Sequence, residues 1–283
     1  MNWNASLPLA VVLGTNEIAS AVAVQLRHAG WDVVLSYDPF PPVIRRGMAF
    51  HDVVFGDRRV IENIEGVRTE SAHEIAAALN DPDRVAVAAS FPLADLATIR
   101  PIAALIDARM QKRRVAPDQR GVARVTVGLG PHFCVGVNCD VAVETRPTRS
   151  GCVVTAGSTD IADGVASRLG GAGAERFIYA DRPGRWHTAL DIGARVFSRF
   201  VVGHLDGRPV HAPLDGTLRG IVRDGLAVPA GVKLLEIDPR GREARWSGID
   251  DRGRSIANAT VKAIGSILHR PAIAQPLAAT VPA

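Results

Sequence analysis

The stretch LAVVLGTNEIASAVAVQLRHAGWDVVLSY, residues 9–37, decides the fold class. Leu9 to Leu13 is an unbroken apolar run, of the length of a buried strand and too short for a core helix. Gly14 turns it into a helix with Ile18, Val22, Leu26 and Ala29 at helical spacing, and Gly30 stands where a C-terminal cap belongs. Asp32 to Tyr37, with Val33-Val34-Leu35 at its centre, is the next strand. Strand, helix, strand in this order, with both strands apolar at their centres, predicts a parallel α/β sheet with covered faces.

The same alternation continues outward. Ser71 and Glu74 form a capping box ahead of a helix that runs to Leu79. Val85–Ala89 and Ile102–Ile106 read as further buried strands, separated by a short helix near Leu93–Ile99. After the basic run Gln111–Arg114 the pattern changes, and from Val122 to Tyr179 β-branched alternation with glycines replaces helical periodicity. Between Gly184 and Asp238 lies an internal repeat: Gly184 and Gly216, Gly193 and Gly225, and Val196 and Val228 are each 32 residues apart (216 − 184, 225 − 193, 228 − 196). Two half-motifs with turn glycines predict β-halves around a pseudo-twofold axis, a flattened small barrel. Arg254–Leu268 has the pattern of an amphipathic helix, and the Pro- and Ala-rich end from Pro271 is expected to be loosely ordered.

Composition bounds the partners. At 283 residues, with 47% hydrophobic and 22% charged residues, two or three globular domains are expected. The apolar run Leu7–Leu13 is far below the roughly 20 residues of a membrane span and lacks the basic flank of a signal peptide. Three cysteines in no framework spacing suit a reducing compartment, so a cytoplasmic location is expected, with no membrane association. The net charge is +4, and of 33 basic residues only Lys112, Lys233 and Lys262 are lysines. Arginine gives planar, bidentate recognition of phosphate and carboxylate. Aromatics are only 5% and the basic residues are dispersed, which favours small anionic ligands over nucleic acid.

Four constellations could carry chemistry. The first is LGTNEIASA, residues 13–21, where a dinucleotide fingerprint would place G-x-G-x-x-G/A. Gly14 is present, Asn16 stands where the second glycine belongs, and Asp38 follows the second strand where a ribose-binding carboxylate would sit. A helix N-terminus is a ready anion site, but the same residues suffice for a strand–helix turn that binds nothing. The second is the cationic edge of Asp107, Arg109 and Lys112, onto which Arg45 and Arg46 could converge from the second strand; the alternative is a solvated basic loop. The third is His132, Cys134, Cys139 and Cys152, whose spacing lacks paired C-x2-C knuckles, so no metal is assigned; were a cysteine reactive, Cys134 beside His132 would be favoured, because Asp140 raises the Cys139 thiol. The fourth is VHAPLDGTLRGIV, residues 210–222, which looks like the V-x-A-P-x-x-G-x-L piece of biotinyl- and lipoyl-type domains. A covalent carrier needs a lysine at the tip of the connecting hairpin, and Val202–Val210 contains none.

VIRRGMAF (43–50), LIDARMQKR (105–113), VGLGPHFCVGVNCDVAVETR (127–146), VHAPLDGTLRGIV and IDDRGRSIANATVKAI (249–264) occur in this order. Together they resemble the accessory proteins of the selenium-dependent molybdenum hydroxylase system, distant relatives of xanthine dehydrogenase accessory factors, over nearly the whole chain. The resemblance implies a Rossmann-like domain at 1–118, a β-rich middle segment at 119–182, a biotinyl/lipoyl-like (barrel-sandwich hybrid) β domain at 183–240 and a C-terminal helix and tail at 241–283. It also implies a role in maturing a molybdenum hydroxylase by handling its cofactor. The chain departs from the family where Leu13–Glu17 replaces a glycine-richer loop, where His132 follows Gly130-Pro131, at Cys139-Asp140, and where Arg146-Pro147-Thr148 replaces R-G-H.

The leading expectation is therefore an accessory protein, not a catalyst. It would bind a molybdopterin-type cofactor or NAD(P) near Gly14, Asn16, Asp38, Arg45, Arg46, Asp107, Arg109 and Lys112, with the Gly128–Gly130 turn closing over the ligand. Its partners would be a client molybdenum hydroxylase or other maturation proteins, and a homodimer is left open. The alternatives are an NAD(P)-dependent oxidoreductase, for which no Tyr-x-x-x-Lys pair is present, and a non-catalytic partner-binding protein.

Overall fold

A computed structural model describes residues 7–268. Its first layer contains β1 (Leu9–Leu13), α1 (Glu17–His28), β2 (Asp32–Ser36), β3 (Arg59–Ile61), β4 (Ile64–Thr69), α2 (Ala72–Leu79), β5 (Arg84–Ala88), α3 (Leu93–Ile99), β6 (Ile102–Asp107), β7 (Val125–Leu129), β8 (Val141–Val143) and β9 (Val153–Val154). The strands form one nine-stranded sheet in the order β3-β4-β5-β2-β1-β6-β7-β8-β9. The seven inner strands are parallel, and each edge is closed by a short antiparallel strand. The sheet runs outward from β1 in both directions, so the chain reverses its sense of progress between β1 and β6.

The apolar alternation explains why both faces are covered. Ala10 and Val12 point to one core with α1, whereas Leu9, Val11 and Leu13 point to another with α2 and α3. Helix α1 starts because the Asn16 side chain accepts hydrogen bonds from the Ile18 and Ala19 amides at 2.9 and 3.0 Å. Glu17 in its first turn and Arg27 and His28 in its last complement the helix dipole.

The second layer contains β10 (Phe177–Tyr179), β11 (Gly184–His187), β12 (Arg195–Val196), β13 (Val201–Leu205), β14 (Arg208–His211), β15 (Gly216–Ile221), β16 (Ala227–Val228) and β17 (Lys233–Asp238). It forms two four-stranded antiparallel sheets, β14-β13-β11-β16 and β10-β17-β15-β12. The strand starts repeat at the offset seen in the sequence: β11 to β15, β12 to β16 and β13 to β17 are each 32 residues (216 − 184, 227 − 195, 233 − 201). Each half lends its short strand to the other, β12 to β15 and β16 to β11, which is the reciprocity a pseudo-twofold axis demands. The β13–β14 turn is Asp206-Gly207, both left-handed with φ of 48° and 76°, and holds no lysine.

Segment 119–182 is shared between the layers: β7–β9 extend the nine-stranded sheet, and β10 pairs with β17. The C-terminal helix α4 (Asp251–Leu268) returns across the first layer to pack on α1, burying Ile256, Ala257, Ala263 and Ile264. It begins at Asp251, ahead of the expected Arg254, because the Asp250 carboxylate accepts from the Gly253 amide at 2.7 Å and caps the helix. The Pro-rich end from Pro271 lies outside the described residues. Among the described residues no helix is long and apolar enough to cross a membrane.

Trp186 is fully buried at the centre of the second layer, and its indole donates to the Val222 carbonyl at 3.1 Å. Trp186→Ala is expected to cost about 3–5 kcal/mol in urea unfolding. Trp186→Phe is expected to cost less, since it loses the hydrogen bond and part of the volume.

Candidate functional site

Beyond the carboxyl ends of β6, β7 and β8 the two layers enclose a cleft, the position where open parallel sheets collect ligands. The loop after β6 supplies Lys112, that after β7 supplies Pro131, and that after β8 supplies Thr145 and Arg146. The opposite wall is Arg176, Phe177 and Lys233 of the second layer; Arg45, Arg252 of α4 and the loop 160–167 complete it. This cavity, of about 110 Å³, shares Arg45, Ser167, Arg176 and Arg252 with a neighbouring one of about 610 Å³ that reaches Arg219, Arg240 and Arg245.

The cations here fall into two groups. Arg45 Nε lies 2.7 Å from Glu236 Oε2, and its Nη1 lies 3.1 Å from Glu17 of α1. Arg176 binds the same Glu236 at 3.1 Å and donates to the carbonyls of Ser167, Ala172 and Gly173. Arg146 pairs with Asp163 at 2.7 Å. Lys112, Lys233 and Arg252, in contrast, have no carboxylate within 4.0 Å among the described residues; Arg252 donates only to the Thr145 carbonyl, at 2.9 Å, and the Lys233 ammonium lies 3.6 Å above the Phe177 ring.

Electrostatics follows from this division. Burial and the nearby Lys112 and Arg45 push Lys233 down to about 8. Lys112 is exposed by area, yet the concave walls desolvate it and, with Arg252, lower it too. Burial and Arg45 likewise lower Arg252. Glu236 shows the opposite balance: burial alone would raise its carboxyl, but Arg45, Arg219 and Arg176 hold it down at about 2. On Arg45, Glu236 and Glu17 outweigh burial and strengthen the charged form.

The residues singled out from sequence divide between this cleft and the fold around it. Arg45 and Lys112 line the cleft. Arg46 does not converge with them; its guanidinium turns to the Ile221 carbonyl at 2.9 Å and to buried Asp52 at 2.7 Å. Asp107 and Arg109 satisfy each other (Nε–Oδ1 3.0 Å), and Arg109 lies 3.9 Å from Asp38, which also accepts from Gln111 at 3.0 Å. Asn16 Nδ2 donates to the Ala108 carbonyl at 2.7 Å, so its amide is used at both ends and fills the gap between β1 and β6. Gly14, at φ +103°, has the Ala108 carbonyl only 3.2 Å from where a Cβ would stand, so strand packing requires this glycine. The Gly128–Gly130 turn does not close over the cleft: the Phe133 ring fills the place of a Gly128 Cβ, 2.1 Å away, and Gly130 hydrogen-bonds to Val143.

In the cysteine segment Cys134 is half-buried and Cys152 is exposed. Cys139 is buried, and burial, more than Asp140, pushes its thiol up to about 12. Among the described residues no group of three or more His, Cys, Asp or Glu side chains is placed to hold a metal ion. His132 Nε2 lies 2.9 Å from the Lys112 carbonyl and so fixes the loop that presents Lys112. Glu144 accepts from the amides of Thr145 and Arg146 and, with its other oxygen, from Asp160, tying the β8 loop to loop 160–167. Lys233, Arg252, Arg176 and Glu236 were not among the residues singled out for the site. The signal that points to one of them, Lys233, is compositional: it and Lys112, two of the chain's three lysines, face one cleft.

No protein-family model matches the chain. The uncharacterized protein YqeB of Escherichia coli (strain K12) is 31% identical over 263 residues, covering 93% of this chain and 48% of that protein, so the chain spans about half the length of the curated relative it matches. An aspartoacylase family protein from Mesorhizobium loti aligns over 82% of this chain and 85% of its own, at 9% identity and a TM-score of 0.24, too low a likeness to inform fold or chemistry.

The Glu236 carboxylate has a folded value of about 2 against an ordinary 4.5, so its contribution is complete above about pH 4.5 and disappears as pH falls towards 2. Glu236→Gln is expected to lose about 3–5 kcal/mol at neutral pH, because it strips a buried partner from Arg45 and Arg176. Its melting temperature should also fall less steeply than that of the parent between pH 5 and 2.

Proposed function

We propose that the chain is an accessory protein of a molybdenum-cofactor hydroxylase that holds an anionic pterin or nucleotide ligand in the cleft between its two layers. The observation that carries this is the set of three cations, Lys112, Lys233 and Arg252, that share one cavity without a carboxylate within 4.0 Å of any of them among the described residues, while the cavity's own Asp160 and Asp163 pair with Arg146 and its Glu144 binds backbone amides. Mutually repelling, partly desolvated cations gain most from a multivalent anion such as a phosphate or pyrophosphate. The resemblance of VIRRGMAF, LIDARMQKR and GLGP followed by AVET to molybdenum hydroxylase accessory proteins supplies the class of client.

The topology supports a Rossmann-like reading of the first layer and, through its reciprocal halves, a biotinyl/lipoyl-like reading of the second. The nucleotide loop that such a layer would use is filled here. Asn16 caps α1 and bonds Ala108, which leaves no backbone cradle for a pyrophosphate and disfavours NAD(P) at that position. The ligand is instead displaced to the ends of β6–β8. The second layer, lacking an attachment lysine at Asp206-Gly207, forms a wall of the cleft and no carrier arm.

Thermal shift and calorimetry with molybdopterin and with NADP test the reading. Molybdopterin is expected to raise the melting temperature, and NADP to raise it less, because its pyrophosphate can reach the cleft cations but the filled β1–α1 loop cannot cradle the dinucleotide. Arg252→Met and Lys112→Met should each weaken molybdopterin binding about tenfold or more, the worth of one charge-assisted contact. Lys262→Met, on the exposed face of α4, should not. No shift with molybdopterin, or a shift indifferent to Arg252 and Lys112, contradicts it.

A further inference from the structure

Lys233 differs from the other cations of the cleft in what surrounds its charge. It opens β17 and lies over Phe177 at 3.6 Å, with the Tyr179 ring at 6.0 Å. The carboxylates that might have neutralised it are committed elsewhere: Glu236 to Arg45 and Arg176, Glu17 to Arg45. Lys112 faces it from the loop after β6 and Arg45 from the connection after β2, both of the same sign. Burial, two neighbouring cations and no carboxylate within 4.0 Å among the described residues form the setting in which an amine gives up its proton and becomes a nucleophile, against the cation–π attraction of the Phe177 face, which favours the ammonium. Lys112 is exposed where Lys233 is half-buried, and Lys262 is exposed on α4 away from the cleft.

We infer that the Lys233 amine condenses with the carbonyl group of an anionic aldehyde or ketone whose charged end is held by Arg252 and Lys112. This rests on the anion-holding reading of the cleft and adds a covalent site to it. In the step, the unprotonated Nζ lone pair attacks the carbonyl carbon, forming a C–N bond. The C=O π pair moves to oxygen, which takes a proton from water. The nitrogen returns one proton to solvent to give the neutral carbinolamine; its hydroxyl then takes a proton from solvent and leaves as water, and the remaining N–H proton goes to solvent, leaving an imine. No oxidant or reductant takes part, and hydrolysis reverses each step. The groups that set its pH dependence are Lys112 and Arg45, which favour the neutral amine together with burial, and Glu236 and Glu17, which oppose them.

The test uses the full chain with pyridoxal 5′-phosphate, and with 5′-deoxypyridoxal as a phosphate-free counterpart that cannot close to a cyclic hemiacetal. Sodium borohydride reduces any imine, and peptide mapping locates the label. The expected result is one label per chain among the lysines, on Lys233, rising with pH with a midpoint near 8 and at least tenfold faster for the phosphate compound. Lys233→Arg should abolish it with an unchanged melting temperature, and Arg252→Met should keep the label but remove the preference for phosphate. Label spread evenly over Lys112, Lys233 and Lys262 overturns the inference. So does a pyridoxal 5′-phosphate thermal shift without reducible label, which would leave the anion site standing. Equal labelling of Lys233 by 5′-deoxypyridoxal would support the reactive amine but overturn the anionic ligand class, and with it the function proposed above.

Discussion

The contact between Arg45 and Glu236 is the constraint on which the rest of the molecule depends. It joins residues 191 apart in sequence, through two hydrogen bonds of 2.7 and 3.2 Å, and links the connection after β2 to the last strand of the second layer. The third arm of Arg45 reaches Glu17 at the start of α1, so one guanidinium bridges helix, connection and β unit. Around it the segment 43–50 is threaded into both layers. Ile44 joins the β core and accepts a hydrogen bond from the Ile221 amide, while Phe50 packs beneath the nine-stranded sheet. A buried pair of this kind is weak evidence for stability but strong evidence for register: removing either partner strands a charge. It fixes where the two layers meet, and the cleft is what that meeting encloses.

The division of labour between the two basic residue types follows from their chemistry. Among the described residues every ion pair of a Lys or Arg with a carboxylate uses arginine, and no lysine takes part in one. The guanidinium fork is suited to two-point contacts inside the protein, as in Arg109–Asp107 and Arg240–Asp238. An ammonium is a compact charge whose proton affinity responds to its surroundings. Placing two of the chain's three lysines on one cleft therefore leaves mobile charge where a ligand can use it.

How much of this was legible in the sequence depended on whether the cause was local. The β1–α1–β2 unit was legible because burial on both faces leaves an apolar run, and because α1 carries Ile18, Val22 and Leu26 at helical spacing on its buried side. The 32-residue offset was legible because each half needs the same turn glycines. The cleft was not: Lys112, Arg146, Lys233 and Arg252 are brought together only by packing between layers, and no spacing rule connects them. Arg45 and Arg46 are adjacent in sequence yet point to different partners, since Arg46 opens a 3-10 turn directed at Asp52. Gly128 carried a motif signal whose cause is the Phe133 ring against its strand, a packing requirement indistinguishable in sequence from a ligand-binding turn.

Lys112 and Lys233 line one cleft, and the scarcity of lysine makes the anion binding proposed for it directly observable. Nuclear magnetic resonance of the lysine side chains, with the three signals assigned by substitution, can follow each amine through a pH titration with and without inorganic pyrophosphate. Lys233 is expected to titrate near 8 in the free protein, and pyrophosphate to raise both Lys233 and Lys112 while leaving the Lys262 signal unmoved. Three lysines that titrate alike, or a pyrophosphate response as large at Lys262 as at Lys233, would contradict it.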